Sequence, residues 1–356
     1  MARQYADSWQ VDLLDQDDQV KLADLGWSDG TLKWDQGQAV QGTGQITLNL
    51  DHRDADKVDW ARDRIRIGHR DGEVETRLGV WLMSITRRTR KGPIHAAPIT
   101  LSDKTELLNK PVGSWLTHPK GSVPTTLLGQ IITAHAGTRY TIPASTEILD
   151  KAMTWQPEDR WLTVANDLAK AIGYAPLCAT DRGLLATKPI IPPLDRPIAA
   201  NIGSGQDAIP LLPDWEDVYD RYNIPTGVRI YVARPNGAKG WIGAADLPAE
   251  HPLSAYSRGK GDPRGHERLL VESGTYTSFA KTQEAAERRL AEAIRPQYTI
   301  TTTGPIDGLH LGDVALLEPH GVTAELVARE IRLGTGAVVA STWQAIYPES
   351  EVPEWE

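Results

Sequence analysis

Apolar and polar positions alternate in several short stretches of the first hundred residues. Gln45-Ile46-Thr47-Leu48-Asn49-Leu50 alternates with period two, the mark of a half-buried strand. Arg64-Ile65-Arg66-Ile67 repeats the pattern and runs into His69-Arg70-Asp71-Gly72, where Asp-Gly signals a hairpin turn. The return strand, Arg77 to Arg87, carries Leu78, Val80 and Leu82 on one face and Trp81, Met83 and Ile85 on the other. With both faces apolar it is expected between two layers. Pro98 to Ser102 predicts a further strand, and short strands with Gly-rich turns over residues 1–110 suggest a small barrel or sandwich.

The period then changes. Thr125 to Ala136 places Leu127, Leu128, Ile131, Ile132 and His135 on a helical stripe, closed by Gly137. A second helix is expected from about Pro157 to Ile172, with Glu158 and Asp159 at its start and Trp161, Leu162, Ala165, Leu168, Ala169 and Ile172 on one face. A hairpin follows, Tyr174–Ala179 and Leu184–Thr187 about the turn Asp181-Arg182-Gly183. Pro189, Pro192, Pro193 and Pro197 then form a stiff linker.

A strand is expected at Gly227–Ala233. The polar, glycine-rich stretch from Asn236 to Gly265 predicts a surface loop or mobile arm. Thr282 to Arg295 predicts a helix with acids early, bases late and a stop at Pro296. Leu290, Ala293 and Ile294 form its buried face, with Ala286. Strands return at Gly312–Leu317, Leu326–Leu333 and Ala337–Ile346, and the tail Tyr347–Glu356 is acidic and extended. The pattern implies an α+β multidomain chain with strand-built parts near both ends and α+β parts between them. The parts are 1–110, 111–195, 196–300 with a long loop, and 301–356. No repeat of solenoid length is present.

Composition narrows the function classes. The 356 residues are 40% apolar, enough for several cores, and 24% charged. A net charge of -9 leaves little Lys and Arg for phosphate contacts, so stable sequence-specific nucleic-acid binding is not expected. Arg87, Arg88, Arg90 and Lys91 form the one dense basic run, which reads as a solvated strand end or loop. The single cysteine, Cys178, excludes an internal disulfide and a cysteine zinc cluster. The N-terminus lacks the apolar core of a signal peptide, and no stretch has the length of a membrane span. Aromatic usage is skewed, with 12 Trp and 10 Tyr against one Phe, Phe279.

Chemistry-bearing motifs are absent. There is no G-x-S-x-G, H-E-x-x-H, Walker loop or G-x-G-x-x-G after a strand. Gly203-Ser204-Gly205 sits in loop sequence without a suggested base. His310 and His320 flank the Gly312 strand while His52 and His69 lie early, and none form an i, i+4 helical pair, so no metal site is expected. Asp214, Glu216 and Asp217 beside Trp215 and Tyr219 would suit a sugar site, but the preferred reading is an acidic loop anchored by a Trp. Catalytic carboxyls need an apolar pocket that separates their acidities. No catalytic, cofactor-binding or metal residue is assigned, and no cofactor is expected.

Four strings carry a resemblance: Trp161 to Tyr174 with the hairpin Asp181-Arg182-Gly183-Leu184 and the Pro189 exit; Asn223 to Val232; the helix preceded by Tyr276–Ala280 and containing Ala285, Ala286 and Leu290; and Leu311-Gly312-Asp313-Val314. In pattern and order over residues 5–345 the chain resembles the hub-type minor tail proteins at the tail tip of long-tailed bacteriophages, including those infecting actinobacteria, and more distantly the hubs of contractile tails. The resemblance implies a non-enzymatic virion protein, assembled in the host cytoplasm and placed at the tail tip. It implies a homotrimer in which two barrel-like domains per chain imitate a six-fold ring between the tube and three-fold tip or fibre proteins. The DNA exit channel would run through that ring. Expected partners are the distal tail protein, the tape-measure protein and other minor tail or fibre proteins. Since the last strand lies near the end of this sequence, any lytic activity is expected on another polypeptide. Two alternatives stay open: a carbohydrate-active enzyme using Asp214, Glu216 or Asp217, and a carbohydrate- or protein-binding adaptor using the 236–265 loop.

Overall fold

The structure, a computed structural model, describes residues 8–71, 74–85, 89–91, 94–137, 139–205, 208–219, 225–232, 240–248, 268–273, 279–293, 298–334 and 338–346. The chain is mostly β, with several sheets and few helices, rather than an even α+β mixture. It divides into two compact units, Met1–Trp215 with Thr301–Trp343, and Glu216–Ile300 with Gln344–Glu356.

In the first unit the chain opens with β1 (Ser8–Leu14), β2 (Val20–Leu22), β3 (Trp27–Asp35), β4 (Gly42–Asp51), β5 (Arg64–Asp71), β6 (Val74–Ile85), β7 (Thr89–Lys91) and β8 (Ile94–Ser102). A four-residue helix, α1 (His52–Ala55), follows β4. Strand order is β3-β4-β8-β6-β5-β1-β2. The stretch between β2 and β3 closes the circuit: Leu25 N–H donates to Val11 O of β1, and Asn49 N–H of β4 donates to Gly26 O, both at 2.7 Å. The early strands therefore wrap into a barrel, which leaves few free edges. Its interior holds Leu13, Leu32, Ile46, Leu48, Ile65, Ile67, Trp81, Ile99 and Leu101. Strand β6 buries apolar side chains on both faces, but an irregularity between its pairs with Arg66 and Gly68 shifts the predicted phase: Leu78 joins Trp81 in the barrel core, and Val80 lies against Gly183. The Asp-Gly hairpin pairs Asp71 with Val74 across Gly72, which lies outside the described residues.

A helical module follows. A 3-10 helix, Lys104–Leu108, is capped by the buried Asp103 carboxylate, which accepts from Thr105 N and from Gly42 N of β4. Then come β9 (Leu116–His118), α2 (Pro124–Ala136), β10 (Tyr140–Thr141), β11 (Met153–Trp155), α3 (Trp161–Ala171), β12 (Cys178–Ala179) and β13 (Leu185–Ala186). Gly137, at positive φ, closes α2 as expected, and Pro124 in the first turn starts the helix one residue before the predicted Thr125. The second helix is shorter at its start than predicted. The Asp159 carboxylate accepts Gln156 N–H at 2.6 Å and Val112 N–H bonds Asp159 O, so Gln156–Arg160 is held as a turn and the helix begins at Trp161. Its buried face is Leu162, Ala165, Leu168 and Ala169, packed on Leu128, Ile132 and Leu108. Cys178 sits half-buried on β12, and burial pushes its thiol up from the ordinary range.

An ion cluster ties this module to the barrel. Asp18, in the β1–β2 turn, accepts from Arg64 of β5 at 2.7 Å, from Lys104, and from Arg139 of the helical module. Gly183 at the tip of the β12–β13 turn rests on Val80, where an added Cβ would stand 2.8 Å away.

The late strands are β14 (Ile198–Gly203), β15 (Ile209–Pro210) and β16 (Trp215–Tyr219), and, after the second unit, β20 (Tyr298–Pro305), β21 (Val314–Leu317), β22 (Val322–Leu333) and β23 (Val338–Ala345). β14 lies between β15 and β21, β22 pairs with β21 and β23, and β20 pairs with β23. Leu212 N–H donates to Thr303 O of β20 at 2.8 Å, returning the chain after β15 to the far side of the set. The strand expected at Leu326–Leu333 begins earlier and divides its pairing: the twelve-residue β22 pairs with β21 over Val322–Glu325, whereas Ala328–Leu333 pairs with β3. Ala324 and Leu326 are buried in its first half, whereas Ile331 and Leu333 in its second half join the early barrel's core. Trp9 Nε1 of β1 donates to Gly334 O at 3.0 Å at the same place.

In the second unit, β17 (Gly227–Val232), β18 (Trp241–Asp246) and β19 (Leu269–Ser273) form a sheet in the order β18-β17-β19, antiparallel then parallel. The helix α4 (Phe279–Ala293) packs on one face, burying Ala285, Ala286 and Leu290 against Val228, Ile230 and Ala245. Part of the predicted 236–265 loop is thus a strand, β18. Its Gly and Ala residues hide it from a β-propensity reading. Gly243 is required because a Cβ there would lie 2.3 Å from Thr282 O of α4. Residues 236–239 and 249–265 lie outside the described set.

The Asp18 cluster yields a test. Burial opposes ionisation of Asp18, but hydrogen bonds and charge from Lys104 and Arg64 outweigh it and hold the carboxyl below 3.8. A carboxyl lowered on folding stabilises the fold above its unfolded value, and that contribution is lost as pH falls through the folded value. Asp18→Asn is expected to cost about 3 kcal/mol at pH 7, the scale for breaking a buried pair from one side. The gap between variant and parent should narrow below pH 3.8 in urea titrations. An equal gap at pH 7 and pH 3 would contradict this.

Candidate functional site

Gly203-Ser204-Gly205 follows directly on β14, and the geometry shows what holds it. The Glu318 carboxylate accepts Ser204 N–H at 3.0 Å and Gly205 N–H at 3.1 Å. A Cβ on Gly203 would fall 2.4 Å from Glu318 Oε2, so glycine is needed for the carboxylate to approach the backbone. The two amides form a small anion-holding concavity that is already filled by a side chain of the same unit. This is a structural clasp between β14 and the turn before β22, with its donors consumed.

The acidic run is open to solvent. Asp214, Glu216 and Asp217 are exposed, as is Trp215. Glu216 and Asp217 are neighbours on β16 and point to opposite faces. Asp217 accepts from Tyr298 OH at 3.2 Å; burial, then the charge and hydrogen bond of Asp217, push that phenol above its usual range. Trp215 stands edge-on to His320, ring centroids 4.2 Å apart. The sequence grouped these residues, but the strand separates them, and among the described residues no apolar wall encloses the carboxylates. The side chain of Tyr219 is outside the described set.

The histidines fall into separate surroundings. His69 is buried beside Trp9, centroids 4.9 Å apart. His310 is exposed, with its backbone N–H donating to Asp313 at 2.8 Å. His320 meets Trp215, and the side chain of His52 lies outside the described set. Among the described residues no three His, Cys, Asp or Glu side chains are grouped to hold a metal ion. In the basic run, Arg87 and Arg88 lie outside the described residues, while Arg90 and Lys91 are on β7, paired with β8.

Features unforeseen in the sequence are pairings and surfaces. Arg329, buried on β22, donates to Leu309 O and, at 2.8 Å, to Asp307 Oδ1, which pins the loop before β21. Arg196 donates to Ile191 O, Gly312 O and Glu325 Oε1 at 2.7–2.8 Å and fixes the proline-rich linker onto the late strands. The Arg196–Glu325 and Arg329–Asp307 pairs join residues far apart in sequence, so no local pattern could expose them. No helix among the described residues is long and apolar enough to cross a membrane.

Replacing Gly203 tests the clasp. Gly203→Val is expected to lower stability by about 1–3 kcal/mol through overpacking against Glu318. Glu318→Gln should cost less, since its amide oxygen can still accept from the two N–H groups. Equal losses from both in chemical denaturation would refute the steric account.

No protein-family model matches the sequence, and no curated protein matches it. Solved structures do match in fold. The tail protein from Neisseria meningitidis MC58 aligns over 95% of this chain and 96% of its own, with TM-score 0.66 and 13% identity. The 43 kDa tail protein of prophage MuSo2 from Shewanella oneidensis aligns over 94% and 98%, with TM-score 0.63 and 10% identity. A chain of the Francisella PdpA–VgrG complex aligns over 99% of this chain and 60% of its own, with TM-score 0.60 and 8% identity. Along nearly its whole length, this chain shares its fold with these two tail proteins and with a chain of the PdpA–VgrG complex.

Proposed function

We propose that this protein is a structural component of a phage-type tail, a hub at the tail tip built as a ring of three copies. The observation that carries the reading is the near full-length fold match to two tail proteins, with no large part of either chain left over. The fold supplies a physical route. Each chain offers an early and a late strand set, joined by direct pairing of β22 with β3. Three copies would then present six strand sets around an axis, so a three-fold ring could seat against a six-fold tube. A closed ring also satisfies its own interfaces. Tube, tape-measure and fibre proteins are the expected neighbours in such a place, and DNA would leave through the bore. A net charge of -9 would disfavour adhesion of phosphates there.

The work is geometric in this reading. The carbohydrate-hydrolase alternative loses ground because Asp214, Glu216 and Asp217 stand exposed on a strand instead of flanking an enclosed bond. Mass photometry of the purified chain is expected to give a species of three times the 39.1 kDa chain mass. Cell-wall glycan should release no more reducing ends than a buffer control, and Asp217→Asn should change nothing. A strict monomer would sink the ring, and hydrolysis abolished in that variant would replace it with an enzyme.

A further inference from the structure

Among the described residues, the second unit's sheet is covered on one side only. Val228, Ile230 and Ala245 face α4, so the alternate residues face away. Register places Tyr231 beside Ile242, and Arg229 beside both Ala244 and Val271, on that other face. Tyr231, Ile242, Leu269 and Val271 are 44–58% exposed there. The charges on this face, Arg229 and Asp246, pair with each other at 2.7 Å. The face is therefore apolar and locally neutral, which suits an apolar occupant and gives a charged one no counterpart.

Its size limits the occupant. Three strands spaced about 4.8 Å apart and some six residues long present roughly 300 Å². A stable two-body interface needs about 800 Å² on each side. Two copies joined face to face through this sheet alone would fall well short. The face is the right size for one contact among several in an assembly held at other places too. In a cyclic ring that contact is heterologous, so a different surface of the next copy must cover it.

The first unit offers such a surface. Ile190, Ile191 and Leu194 project from the proline-rich linker at 49–54% exposure. The ridge is held in shape by Arg196, which donates to Ile191 O at 2.8 Å and pairs with Glu325, and by Ile190 N–H bonded to Gly173 O at 2.9 Å. Two prolines, Pro192 and Pro193, lie within it. A ridge ordered before it binds loses little entropy on docking.

We infer that the open face of β17, β18 and β19 is covered by the Ile190–Leu194 ridge of a neighbouring copy. This rests on the ring reading and adds the surface through which successive copies touch. It accounts for two concentrations of exposed apolar side chains with one contact, repeated at every subunit boundary.

The test uses the full chain. Val271→Asp and Leu194→Asp are each expected to raise the trimer dissociation constant about tenfold or more, as for loss of a buried apolar anchor. The double variant should do little worse than either single one, because both remove the same contact. Circular dichroism should match the parent. In a Cys178→Ser background, Leu194→Cys with Val271→Cys should give covalent multimers with a short bis-maleimide, and neither single cysteine should. This arm decides the matter even where an aspartate variant folds poorly. A trimer that survives both aspartates and does not cross-link overturns the inference and leaves the ring intact. A two-copy species broken by Val271→Asp but not by Leu194→Asp also overturns it, since the face then meets its own kind. A parent chain that stays monomeric removes the ring and this contact together.

Discussion

One strand holds the two ends of the first unit together. β22 bonds to β21 through its first four residues and to β3 through its last six. The change of partner coincides with a change in what its side chains enter, from the late strands to the early barrel, where Ile331, Leu333 and the following Val339 are part of the core. Burying apolar surface contributes about 25 cal/mol per Å². These residues therefore stabilise the early barrel although they lie more than 220 positions beyond its last strand, which ends at Ser102. The early barrel's packing is complete only once the late strands are in place. Trp9 adds a side-chain bond at the same junction, to Gly334 O.

That constraint explains where the polar groups of the first unit are placed. Charged side chains are rarely buried unless paired. Here the buried ones are used as ties between segments remote in sequence. Asp12 is fully buried on β1 and bonds Arg66 of β5. Asp18 collects Arg64, Lys104 and Arg139 at the meeting of barrel and helical module, and burial beside two other cations brings Lys104 down to about 8. Arg329 and Arg196 pin loops onto the late strands. Breaking such a pair from one side leaves a charge stranded in the interior. Each therefore restricts how the segments can meet, and a frame with restricted internal geometry suits a part whose task is to present surfaces at fixed angles.

The surfaces themselves separate the functional readings. Residues that a sugar-cleaving site would use are exposed and spread along a strand, and the backbone amides of Ser204 and Gly205 are taken up by Glu318. Apolar side chains, by contrast, are exposed in concentrations that a soluble chain gains little from leaving uncovered.

The local patterns determined much of the secondary structure. Period-two alternation marked β4, β5 and β8, helical stripes with Pro and Gly at their ends marked α2 and α4, and absent motifs left no catalytic set to assign. These features depend on neighbours a few residues apart, which a sequence displays directly. β1 and β3 were not legible: β1 interrupts its alternation with the buried Asp12, and β3 carries Ser28, Asp29 and Gly30 where strand formers are expected. Gly30 is there because Leu333 of β22 and Gln45 O of β4 leave no room for a side chain, and Asp12 because Arg66 waits across the sheet. Only the tertiary structure decides such positions, since their partners lie tens to hundreds of residues away. The division of β22 between two strand sets and the open face of β17–β19 belong to the same class. Both follow from which surfaces meet in space, and spacing along the chain does not encode that.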